Sequence, residues 1–259
     1  MASIGVSLAV LLGAVFPSVL ATSFLSGIFG MVGGLILMGI LLVLLPVPLA
    51  MSLHAITQMA SNGWRAWLWR RHVHWRVLAG YLLGSALAFG LCAVIAISPP
   101  TAAVYVALGV MPFAAAALPQ HWALDIERKG APLLAGLLVM GLSVFAGVSG
   151  PVLDIFFVRT ALDRRAIVAT KAITQTIGHF LKFAYFSVII GTEPEDPTLP
   201  LVVYAAAVGT AFIGTSSARV VLDRLSNQTF LRWSRRLVLG VGAAYLGRGL
   251  WLAFPMVFG

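Results

Sequence analysis

The residues from about 3 to 26 are apolar or small and carry no charge, and a helix needs about 20 such residues to cross a bilayer. Further runs reach or approach that length at about 48–69, 77–97, 101–118, 132–146, 166–190, 199–218 and 237–256. They are continuous and do not alternate as the strands of a barrel would, so long helices are predicted. Of the 259 residues 60% are hydrophobic and 10% charged, with a mean hydropathy of +1.00, more apolar surface than a soluble domain of this length needs. The chain reads as an all-α polytopic membrane protein.

The next constraint is a repeat. Leu53 to Arg65 reads LHAITQMASNGWR, and Thr170 to Lys182 reads TKAITQTIGHFLK. The tetrapeptide Ala55-Ile56-Thr57-Gln58 returns 117 positions later as Ala172-Ile173-Thr174-Gln175. At that offset Gly30 falls on Gly147, Gly33 on Gly150, Asn62 on His179 and Arg65 on Lys182. A tetrapeptide and two glycines in one register indicate an internal repeat.

Each half shows the same succession. The first apolar helix is followed by a glycine-rich interruption, Gly27 to Gly34, and a short piece at about 35–45 that ends before Pro46. In the second half, Gly147-Val148-Ser149-Gly150-Pro151 precedes a short piece at about 152–161. The polar stretch Pro119 to Gly130 separates the halves. The predicted organisation is an N-terminal repeat over 1–118, a cytoplasmic linker over 119–131 and a C-terminal repeat over 132–259. Each repeat has about five segments, giving eight to ten helices with the short broken ones included.

Charge fixes an orientation. Fourteen of the seventeen Lys and Arg lie after the third, fifth, seventh and ninth segments, while the opposite loops around Pro46, Pro99 and Glu193 hold none. Those four basic loops are placed in the cytoplasm and both termini outside. The net charge of +9 is thereby explained without nucleic acid. The two halves are then inverted, as in many secondary transporters. The N-terminal MASIGVSLAV lacks a basic region and argues against a cleaved signal peptide. The single Cys92 excludes an internal disulfide or a cysteine metal cluster, so no metal or cofactor is expected.

Glycine-broken short segments at matching places in two halves point to a transporter's binding site. The candidates there are Gly30, Gly33, Gly34, Gly147 and Gly150. The repeated helices add polar groups at four- and three-residue spacing, which is one face of a helix. His54, Gln58, Asn62 and Arg65 form one stripe; Lys171, Gln175, His179 and Lys182 form the other, with Thr57 and Thr174 beside the glutamines. A polar stripe in an apolar helix faces the bundle interior. The competing readings are interhelical hydrogen bonds for Gln and Thr, close packing for the glycines, and snorkelling to the interfaces for Arg65 and Lys182. Asp154 is the one acid away from the loops. With Lys171 or His179 it makes either a structural ion pair or a proton-coupling group. Basic and amide groups outnumber acids inside, which favours an anionic substrate. Arg248, within the last helix, is left unassigned.

The glycine interruption, Pro46, the AITQ helix and the basic turn with Trp75, repeated once, resemble the sulfite exporter TauE/SafE family over nearly the whole chain. The resemblance implies a two-repeat transporter of the cell (inner) membrane that moves sulfite, sulfoacetate or related organosulfonates. The implied site is Gly30, Gly33, Gly34, Gly147 and Gly150, with Gln58, Asn62, Gln175 and His179 nearby. One departure is Pro151, which stands where the first half has Gly34 and stiffens the second loop. The expected partners are the small sulfur oxyanion, the lipid bilayer and a second copy in a homodimer; no catalytic residue is expected. The alternative is an intramembrane enzyme such as a lipid phosphate hydrolase with re-entrant loops, for which the chain offers Asp154 but no HExxH or GxSxG motif. A third reading, a structural subunit, gives buried polar side chains little purpose.

Overall fold

The computed structural model describes residues 10–29, 31–119, 124–191, 199–218 and 227–258. Among these it holds ten α-helices and no strand. Helix α1 spans Phe16–Phe29 and follows a π-turn at Leu11–Val15; α2 is Val32–Leu44, α3 Val47–Leu68, α4 Trp75–Ile95 and α5 Thr101–Ala117. In the second half α6 is Ala131–Ala146, α7 Gly150–Ile155, α8 Arg164–Ala184 with a π-turn at Tyr185–Ile190, α9 Leu201–Ser217 and α10 Asn227–Phe258. Among the described residues four stretches are long and apolar enough to cross a membrane: Leu11–Phe29, Trp75–Ile95, Arg164–Ile190 and Arg232–Phe254.

The break in the first half is shorter than the glycine pattern predicts. Gly27 belongs to α1, and Gly33 and Gly34 belong to α2. They are glycine because other elements approach them closely. A Cβ on Gly27 would lie 3.0 Å from Thr215 O, one on Gly33 would lie 2.6 Å from Ser26 N, and one on Gly34 would lie 2.8 Å from Gln58 Oε1. Helix α2 has 13 residues. At 1.5 Å per residue that is about 20 Å, short of the roughly 30 Å of a hydrocarbon core. The second break opens fully. Gly147 caps α6 with φ 79°, a left-handed conformation that a side chain strains. Pro151 sits in the first turn of α7, where the missing N–H costs nothing. Helix α7 has only 6 residues, less than the predicted 152–161. At the other end α10 begins at Asn227, ten residues before the apolar run, so Arg232, Arg235 and Arg236 are helical.

The two copies of the repeated segment, α3 and α8, pack against each other in the middle of the molecule. Around them α1 packs on α9, α4 on α6, and α5 on α10. The 117-residue offset lays α1–α3 on α6–α8, and the order of the elements then pairs α4 with α9 and α5 with α10. Under this pairing the α1–α9 contact becomes α6–α4, the α2–α10 contact becomes α7–α5, and α3–α9 becomes α8–α4. The α4–α6 crossing is tight: Cβ atoms on Gly84 and Gly136 would lie 2.9 Å from Leu133 C and 2.8 Å from Ser85 N. Small residues at such a crossing let the backbones pack closely without a hydrophobic drive. On the outward face of α4, Leu83, Leu87, Leu91 and Val94 are exposed in a stripe at helical spacing. A surface stripe of this kind matches hydrocarbon, not water.

Candidate anion-binding site

The site begins with two helix stripes brought face to face. Because α3 and α8 cross at their repeated segments, His54, Gln58, Asn62 and Arg65 meet Gln175 and His179 around one cavity. The second break supplies Val148, Ser149 and Gly150, the first supplies Met31 and Gly34, and α4 adds Tyr81. The free core of the cavity is about 30 Å³, and one water needs about 10–15 Å³. It therefore suits a few waters or one small oxyanion.

The lining is rich in donors with nothing to bond. Gln58 Nε2, Arg65 Nε, Tyr81 Oη and His179 Nδ1 are buried and have no hydrogen-bond partner among the described residues. Ser85 lies beside Tyr81, but its hydroxyl is given to Gly136 O at 3.4 Å. Unsatisfied buried polar atoms are costly, and each needs a purpose. Three of the four groups are obligate donors or donate readily, and Arg65 adds a positive charge. The remaining arm of Arg65 is fixed, since Nη2 donates to Asn62 Oδ1.

Beside the cavity a polar chain ties the two breaks together. His54 Nε2 bonds Gly34 O at 2.9 Å, His54 Nδ1 faces Lys182 Nζ at 2.8 Å, and Lys182 Nζ donates to Gly147 O at 2.7 Å. His54 and Lys182 are fully buried. The imidazole of His179 meets that of His54 edge-on, with centroids 5.5 Å apart.

Seven of the predicted residues line the cavity: Gly34, His54, Gln58, Asn62, Gly150, Gln175 and His179. Others stand apart from the lining. Thr57 Oγ1 donates to Leu53 O and His54 O, and Thr174 Oγ1 donates to Lys171 O, so both threonines are spent on their own helices. Gly33 packs on α1, and Gly147 contributes its carbonyl to Lys182. Lys171 and Asp154 form an ion pair across α7 and α8, with side chains 23% and 40% exposed. Gly30 lies outside the described residues. Arg65 and Lys182 both go inward, although the snorkelling reading would turn them to the interfaces; helix ends in sequence do not reveal which face is covered by a neighbour. Tyr81 went unnoticed, and nothing in a mostly apolar helix marks it. Among the described residues no group of three His, Cys, Asp or Glu side chains could hold a metal ion.

The chain matches the model of the family described as Sulfite exporter TauE/SafE over residues 15–246. It belongs to the TauE/SafE family. No curated protein and no solved structure matches it. The family is one of membrane exporters of sulfite and other anions. Asp154, the acid a hydrolase would use, is held by Lys171 away from the cavity lining.

Proposed function

We propose that this member exports a small sulfur-containing anion, sulfite or an organosulfonate such as sulfoacetate, from the cavity between α3 and α8. The observation that carries the reading is the convergence of four unpartnered polar atoms, from Gln58, Arg65, Tyr81 and His179, on one small cavity. An oxyanion has an acceptor for each and replaces their missing partners. Gln175, Asn62, Ser149 and Gly150 complete the wall.

The exchange of helix contacts under the 117-residue offset supports two inverted repeats, 1–118 and 132–259, joined by the linker 119–131. In that arrangement the cavity lies near the pseudo-two-fold axis, and one repeat rocks against the other to expose it alternately to each side. The basic turns lie in the cytoplasm of an inner-membrane protein with both termini outside, and two copies form a homodimer. An exported anion leaves a negative interior, a drive of about 2.3 kcal/mol per charge per 100 mV.

The test is uptake into proteoliposomes holding the purified full chain. Sulfite and sulfoacetate are expected to move, and Gln58→Leu and His179→Ala to slow both. Proteoliposomes that carry neither anion under any imposed potential or ion gradient refute the reading.

A further inference from the structure

The polar chain at the breaks has a proton count that depends on what fills the cavity. Lys182 is fully buried, and its Nζ has two acceptors among the described residues, Gly147 O at 2.7 Å and His54 Nδ1 at 2.8 Å. A neutral amine has two N–H groups and satisfies both. An ammonium has three and leaves one without an acceptor. Among the described residues no carboxylate bonds it: Asp154 is bonded to Lys171, which lies about three turns away along α8. A buried ammonium without a counter-charge is costly. His54 Nε2–H already goes to Gly34 O, so an extra proton on the pair sits in the Nζ–Nδ1 contact, which carries one such proton and no more. The pair therefore holds one excess proton or none.

The same imidazole borders the cavity. His54 lines it, and His179 lines it edge-on to His54, with Nδ1 unpartnered. The other groups around them are Arg65 on α3 and Tyr81 on α4, both in the lining, and neither supplies a negative charge at neutral pH. Among the described residues no group there offers counter-charge to an ammonium at position 182, and an anion in the cavity supplies it.

We propose that the Lys182–His54 pair is a proton-binding site coupled to the anion site, so that anion and proton bind together. The inference rests on the anion-transport reading. A proton from water reaches the lining at His179, adds to the lone pair of Lys182 Nζ, and leaves when the anion leaves. No bond other than N–H forms or breaks. This places the coupling group at the glycine breaks, on Lys182 and His54, and not on Asp154.

The experiment is calorimetric titration of the detergent-purified full chain with thiosulfate and with sulfoacetate, anions whose own charge is fixed near neutral pH. Each titration is repeated at one pH in two buffers of different ionisation enthalpy, which reads the protons taken up. The wild type is expected to take up close to one proton per anion. H54Q preserves both contacts, since its amide donates to Gly34 O and its carbonyl accepts from Lys182, and it serves where K182M fails to fold. In K182M binding weakens and proton uptake disappears. In H54Q the Lys182 contacts persist, and uptake is retained while the proton's route from the cavity is slowed, read as slower binding. Anion binding by the wild type with no proton uptake overturns the proposal and leaves the transport reading standing. Uptake that persists in K182M also overturns it. No binding of either anion refutes both.

Discussion

Replacing Arg65 by glutamine removes the guanidinium that lines the cavity. Its Nε is buried without a partner, and Nη2 is held by Asn62 Oδ1, so the group is already aimed before any ligand arrives. A bound oxyanion takes a charge-assisted bond from that Nε–H. Hydrogen bonds to charged groups contribute about 1.5–3 kcal/mol, and 1.4 kcal/mol is tenfold, so R65Q weakens anion binding by about 10–150-fold. R65K keeps the charge but loses the planar fork that Asn62 orients, so its loss is smaller. The assay is equilibrium binding of labelled thiosulfate and sulfoacetate to the purified full chain, with melting temperature as the folding control. An R65Q protein that melts like the wild type and binds both anions within about twofold of it refutes the reasoning.

Asp154→Asn breaks an ion pair whose side chains are both partly exposed, so it costs about 0–1 kcal/mol and leaves anion transport within a few-fold of wild type; abolished transport in a stable Asp154→Asn protein would make Asp154 the coupling group. Gly84→Val forces a side chain into the α4–α6 crossing, where a Cβ already meets Leu133 C at 2.9 Å. The expected cost is about 1–3 kcal/mol or more, measured as a fall in melting temperature, and an unchanged melt would sink the close-packing account. Asp163 caps α8, accepting from Arg165 N at 2.8 Å and Ala166 N at 3.0 Å. The bond from Ala166 N–H, with that of Arg165 and the nearby His72 and Arg165 charges, holds its carboxyl below the usual range. A depressed folded value stabilises at pH above the unfolded value and is lost as pH falls through the folded one. Asp163→Ala is therefore expected to lower the melting temperature at neutral pH, with the difference from wild type vanishing in acid; a constant difference across that range would exclude the cap as its source.

The repeated stripe was readable because both glutamines, Gln58 and Gln175, interrupt otherwise apolar helices, and a polar group there must face inward. His54, Asn62 and His179 follow by helical spacing from those glutamines. The threonines were readable only as polar. Whether Thr57 and Thr174 serve a ligand or their own backbone depends on a rotamer, and both bond back to carbonyls three or four residues earlier. Lys182 and Arg65 were legible as cations near helix ends, yet the same position permits a snorkelling side chain or an inward one. The α3–α8 crossing decides it, since it covers the face that Lys182 occupies. Tyr81 enters the cavity from α4, a helix with no polar stripe, and no sequence signal marks it.

By itself the sequence determined that the chain is helical and apolar enough for a bilayer, and that two of its segments are copies. These follow from local properties, hydropathy over a helix length and identity at a fixed offset, which need no knowledge of neighbours. It also marked the glycine runs, but not which glycines break a helix. Gly147 does, with its positive φ, whereas Gly33 and Gly34 lie within a helix and are glycine because a neighbouring backbone or side chain leaves no room for a Cβ. Only the tertiary structure decided that Gly34 and Gly147, 113 residues apart, are joined through His54 and Lys182. It alone decided that four polar atoms from α3, α4 and α8 are left unpaired around one cavity. Whether a buried donor is satisfied depends on atoms distant in the chain.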